Sequence, residues 1–177
     1  RGRPGKIMAR HPRSRIGRTP SRTQRQAVPI GSSMIGSMTP LLPIIATAPV
    51  MPPWGLLVLL AWRMLHRNLW PVWMGIPLGV FDDIFSGQPL GSAMMLWTLA
   101  LLGLDVLDRR MIWRDFWQEW GIAGALVAAM LLLQLLISYA TGGATNPILL
   151  LPQMLLSILA FPLVARTCAV LDDWRLS

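Results

Sequence analysis

Sixteen basic residues are spread so unevenly along this 177-residue chain that they constrain its fold more than any other feature. Lys6 and eight arginines (Arg1, Arg3, Arg10, Arg13, Arg15, Arg18, Arg22 and Arg25) fall in residues 1–26 with no acid among them, a charge of +9. The remaining seven arginines sit among eight acidic residues, for a charge of −1. They occur at three short stations, Arg63/Arg67, Arg109/Arg110/Arg114 and Arg166/Arg175. The stretches between stations are apolar and turn through loops at 48–53, 86–89 and 140–147 that hold no Lys or Arg. Positive residues accumulate on the cytoplasmic side of membrane proteins because translocating them during insertion is unfavourable. The expected protein is therefore an all-α integral membrane protein of the inner (cytoplasmic) membrane, multi-pass, with its basic N-terminus inside.

Composition agrees. The chain is 54% hydrophobic and only 14% charged, against about 25% charged in an ordinary soluble domain. The pI near 11.6 invites a nucleic-acid reading, but the charge is confined to one tail and no base-reading pattern accompanies it. No nucleic-acid partner is expected; anionic lipid is the expected partner of the tail. Cys168 is the one cysteine, which excludes an internal disulfide. His11 and His66 are too few and too far apart for a metal site, and no cofactor is expected. A cleavable secretory leader is not expected, because the tail exceeds a normal n-region and the first span lacks a small-x-small site.

Three regions follow: a basic, disordered cytoplasmic tail over 1–26, a polytopic domain over 27–168, and a short cytoplasmic tail over 169–177. The expected spans are Val28–Thr47, Trp54–Leu65, Trp70–Phe85, Leu90–Val106, Trp117–Tyr139 and Ile148–Val164. The first contains Gly31, Gly36, Pro40 and Pro43 and is expected to be kinked or partly unwound. The second and third are shorter than the ~20 residues that cross the hydrocarbon core. They fit tilted neighbours in a thin region, or a hairpin, which leaves five spans as the alternative to six. Six is the reading adopted, because an even count returns the later arginines to the cytoplasm.

Trp113, Phe116, Trp117 and Trp120 recur at i, i+3, i+4 and i+7, one aromatic face of a helix, with Arg110 and Arg114 on another. This is the signature of a helix in the headgroup layer. An interfacial start to the fifth span is favoured over a docking surface for a cytoplasmic partner. The other tryptophans (Trp54, Trp62, Trp70, Trp73, Trp97 and Trp174) are expected near span ends as an aromatic belt. Gln134 is expected to hydrogen-bond between helices.

One constellation stands apart. Gly75, Gly79, Asp83, Gly87 and Gly91 recur every fourth residue. Gly75 and Gly79 would form a groove for a neighbouring helix backbone. Asp83 continues that face toward the bundle, and an intramembrane carboxylate is costly unless paired. The favoured reading is local: Asp83 caps the Gly87 turn or accepts from nearby backbone amides. Asp105 and Asp108, beside Arg109 and Arg110, read as an interfacial charge cluster rather than a catalytic pair. No catalytic residues, Ser/His/Asp set or phosphate loop is expected.

The stretch Leu56 to Met95 resembles the MreD family of bacterial rod shape-determining membrane proteins. The residues that carry the resemblance are Gly79, Asp83, Gly87, Leu90 and Gly91, after an aromatic-led, arginine-containing link. The long arginine tail departs from the family pattern. The resemblance implies a non-enzymatic scaffold of cell-wall elongation that partners MreC. Through MreC it implies RodA and a penicillin-binding transpeptidase, alongside MreB filaments. It also implies a fold similar to the substrate-binding components of energy-coupling-factor transporters. Two other classes stay open at this point. One is a small-molecule-binding subunit of a transporter, with a polar mouth at Asp83 but no Ala-three residues-Ala docking surface. The other is a small membrane enzyme acting on a lipid or isoprenoid through Asp105 or Asp108.

Overall fold

The computed structural model describes residues 22–41, 51–67, 69–86, 89–110, 116–142 and 147–176. Six α-helices lie among them: α1 (Arg22–Ser37), α2 (Trp54–Leu65), α3 (Gly75–Ser86), α4 (Ser92–Arg110), α5 (Phe116–Ala140) and α6 (Leu150–Leu176). Single 3₁₀ turns follow α1 and precede α3 and α6, and no strand occurs among the described residues. Each helix falls on one of the expected apolar segments, with shifted boundaries. α1 begins at Arg22, so the last residues of the tail expected to be disordered are helical. It ends at Ser37, and the remainder of the expected first span lies largely outside the described residues. α6 continues through Arg166 to Leu176, so the expected C-terminal tail is mostly helix. Its polar end still keeps the 3.6-residue period, with Val164, Cys168 and Asp172 buried on one face.

Two helices are long and apolar enough to cross a membrane, over Trp117–Ala140 and Leu150–Trp174. The other four expected spans do not meet that test. α2 and α3 have 12 residues each, about 18 Å of helix. α1 has 16 residues and carries arginines in its first turn, and the last turns of α4 hold Asp105, Asp108, Arg109 and Arg110.

α2 is the axis of the fold. Leu57, Leu59, Leu60 and Trp62 on it have no exposed surface. A helix apolar all round belongs in an interior, and α2 packs against α1, α4, α5 and α6. Trp62, Trp70 and Trp97 are core residues and not belt residues as expected, whereas Trp73 and Trp174 are well exposed. Trp62 stands on the enclosed helix α2 and Trp97 on the buried face of α4, where large apolar side chains fill volume. α6 shows the opposite pattern. Leu155, Leu159 and Leu163, one helical turn apart, are 58%, 67% and 64% exposed. A soluble surface rarely carries so continuous an apolar stripe.

Candidate functional site

The α3–α4 hairpin is built on the glycine–aspartate pattern. α3 and α4 form the most extensive helix pairing in the molecule, and glycine makes it possible. A Cβ on Gly79 would lie 2.5 Å from Met94 Cα, and one on Gly75 would lie 2.7 Å from the Thr98 amide nitrogen. The α4 backbone thus occupies the volume a side chain would need. The same device joins α1 to α2, where a Cβ on Gly36 would lie 3.1 Å from Gly55 Cα.

Asp83 closes the hairpin. Its carboxylate accepts from the Gly91 amide at 2.8 Å, the Ala93 amide at 2.8 Å, the Met94 amide at 3.4 Å and the Ser92 hydroxyl at 3.0 Å. The first amides of a helix have no partner within the helix, and a carboxylate there also meets the positive end of the helix dipole. Asp83 is 2% exposed, and these donors offset its desolvation. Asp83 thus caps the start of α4, not its own turn: the donors stand 8 to 11 residues further on. Gly91 adopts φ +98° in the turn, a region that suits glycine. Gly87 lies outside the described residues, and Gly91 sits beyond the end of α3, so neither extends the helical face of Gly75, Gly79 and Asp83. Asp82 turns away, toward Gly55, Ser37 and Trp97.

The opposite end of the bundle is tied by charge. Arg63, 4% exposed, reaches Asp108 at 2.9 Å and Asp105 at 3.7 Å, and Arg109 joins Asp105 at 2.9 Å. His66 Nε2 lies 2.8 Å from Asp172 on α6. The C-terminal ends of α2, α4 and α6 therefore meet at one end. The other end gathers Ser37, Gly55 and Asp82, and Gln153 donates to the Met51 carbonyl at 3.0 Å. Trp62 Nε1 donates to Ser32 Oγ at 2.8 Å, so α1 runs antiparallel to α2 and its arginine-bearing start lies toward the end held by Arg63.

A family model for the rod shape-determining protein MreD matches residues 27–166. The chain belongs to the MreD family. A search of curated proteins and a search of solved structures return no match. MreD membership carries a role in rod-shape determination and a place in the membrane. The match takes in the glycine–aspartate hairpin and the Arg63 cluster alike.

Within this MreD-family chain, several site residues were not legible in the sequence. Arg63 is predicted as a loop-side station and is instead a buried tie between α2 and α4. Its place in the last turn of an apolar helix was the available signal. Gln134 makes no hydrogen bond among the described residues, whereas Gln153 does. In the aromatic segment, Trp113 and Arg114 lie outside the described residues, and Phe116 opens α5. Trp117 is 73% exposed, and its ring meets that of Trp120 edge-on at 6.0 Å. Trp120 turns inward, and its indole donates to the Ile158 carbonyl at 3.1 Å.

Proposed function

We propose that this chain is a non-enzymatic scaffold of the bacterial cell-wall elongation machinery, set in the inner membrane as a six-segment bundle. One observation carries the reading: the buried polar groups are used to hold helices together. Asp83 is taken up by four donors at the start of α4, and Arg63 by the acids of α4. A carboxylate so occupied is a poor ligand contact, which weighs against a small-molecule-binding subunit centred on Asp83. Asp105 and Asp108 are likewise engaged by arginines, which weighs against a catalytic pair.

The topology has both termini in the cytoplasm. The meeting of Arg63 and Arg109 at one end supports it, because arginines are retained on the inside. The shortness of α2 is no obstacle, since protein encloses it and its backbone does not face lipid. The proposed partners are MreC and, through it, RodA and a penicillin-binding transpeptidase, with MreB filaments engaged indirectly. The arginine-rich segment lies on anionic headgroups.

Affinity purification from mild detergent with mass spectrometry tests the reading. Co-recovery of MreC with the RodA–transpeptidase pair is expected; recovery of transporter ATPase subunits in their place overturns it. A periplasm-active reporter fused after Ser177 is expected to stay silent, and activity there would exclude an even span count.

A further inference from the structure

α2, α5 and α6 enclose a cleft of about 280 Å³ near the charged end of the bundle. Its walls are Ala61, Met64 and Leu65 from α2 and Phe161, Pro162 and Ala165 from α6. Trp120 and Glu119 complete it from the first turns of α5, and Glu119 is the one ionisable group in the lining. Glu119 makes no ion pair or hydrogen bond among the described residues, and it is half-buried. Arg166 is likewise unpaired among the described residues and exposed. Pro162 and Arg166 stand at i and i+4, so Arg166 flanks the cleft at its Pro162 edge, where the lining face of α6 meets the exposed leucine stripe. An apolar cleft thus has in its wall a carboxylate, and at its edge a guanidinium, that are unpaired among the described residues.

We propose that this cleft is a binding site for an aminophospholipid, its ammonium on Glu119, its phosphate on Arg166 and an acyl chain along the Ala61–Phe161 wall. The charge pattern selects this ligand. A zwitterionic headgroup with N–H donors satisfies both side chains at once, while the chain remains in an apolar setting. A quaternary choline headgroup offers the charge without donors. An anionic headgroup suits Arg166 and is repelled by Glu119. Family membership places the chain in a membrane, which supplies the ligand, and the site does not rest on the proposed scaffold role.

Native mass spectrometry of the full chain in detergent tests it, with equimolar dioleoyl phosphatidylethanolamine, phosphatidylcholine and phosphatidylglycerol. Phosphatidylethanolamine adducts are expected to exceed phosphatidylcholine adducts by about fivefold, the scale of one hydrogen bond. Glu119→Gln should bring the two to parity without loss of total lipid. Arg166→Gln should weaken both, and Ala165→Trp should displace both by filling the cleft. Equal retention of the two lipids by the native chain, or a preference for phosphatidylglycerol, overturns the proposal. So does undiminished phosphatidylethanolamine retention in a folded Ala165→Trp protein. Should Ala165→Trp fail to fold, the lipid ratio in Glu119→Gln still decides.

Discussion

The indole of Trp120 on α5 donates to the carbonyl of Ile158 on α6 at 3.1 Å, and that carbonyl is free because of Pro162. Proline has no N–H, so residue 162 cannot complete the helical bond to residue 158. An unpaired carbonyl is expensive in an apolar setting. Trp120 removes that cost and in doing so fixes the register of α5 against α6, the two longest helices of the molecule.

This pairing predicts a coupling. Trp120→Phe should lower stability in detergent by about 1 kcal/mol, the scale of one hydrogen bond between membrane helices. In a Pro162→Ala background, where the helix supplies its own donor, the same substitution should cost measurably less. Thermal unfolding of the four proteins gives the interaction energy. Additive effects would mean that the indole does not serve the proline site.

The Arg63–Asp108 tie should behave as a buried ion pair. Arg63→Met alone leaves the acids of α4 without their buried partner and is expected to destabilise by about 3–5 kcal/mol. Adding Asp108→Leu should recover much of that loss, because burying two charges is itself unfavourable. Detergent unfolding curves of the single and double variants distinguish this from simple loss of packing, which the second substitution would not repair.

Glycine substitutions should divide by position. Gly79→Leu is expected to prevent close approach of α3 and α4, with loss of folded protein or of partner assembly. Normal recovery of a complex containing Gly79→Leu would refute the groove. Gly31, inside α1, has nothing within 4 Å of where a Cβ would stand. Gly31→Ala should therefore be neutral or stabilise by up to about 1 kcal/mol through helix propensity.

Asp83→Ala removes an acceptor shared by three amides and a hydroxyl and should destabilise by about 2 kcal/mol, the upper range for loss of a helix cap. Asp83→Asn keeps one acceptor oxygen and should fall between. Equal unfolding temperatures for the native and Asp83→Ala proteins would show that the start of α4 is satisfied in another way.

Membrane character, the six helical segments and the end of the bundle that holds the arginines were legible in the sequence. Hydropathy and the positions of Lys and Arg act locally along the chain, and no packing is needed to read them. The Gly79–Asp83 spacing pointed to a helix groove and left open what Asp83 would meet. Only the tertiary structure decided which groups meet. The 12-residue α2, read as a short span, became the enclosed axis of the fold. Arg63 gained Asp108, His66 gained Asp172 at a separation of 106 residues, and Trp120 found Ile158. These pairs depend on which helix faces which neighbour and at what rotation. In an apolar setting nearly every face of a helix is hydrophobic, as on α5 and α6, so periodicity does not encode that choice. It is made by where small residues let backbones approach and where a buried polar group finds its partner.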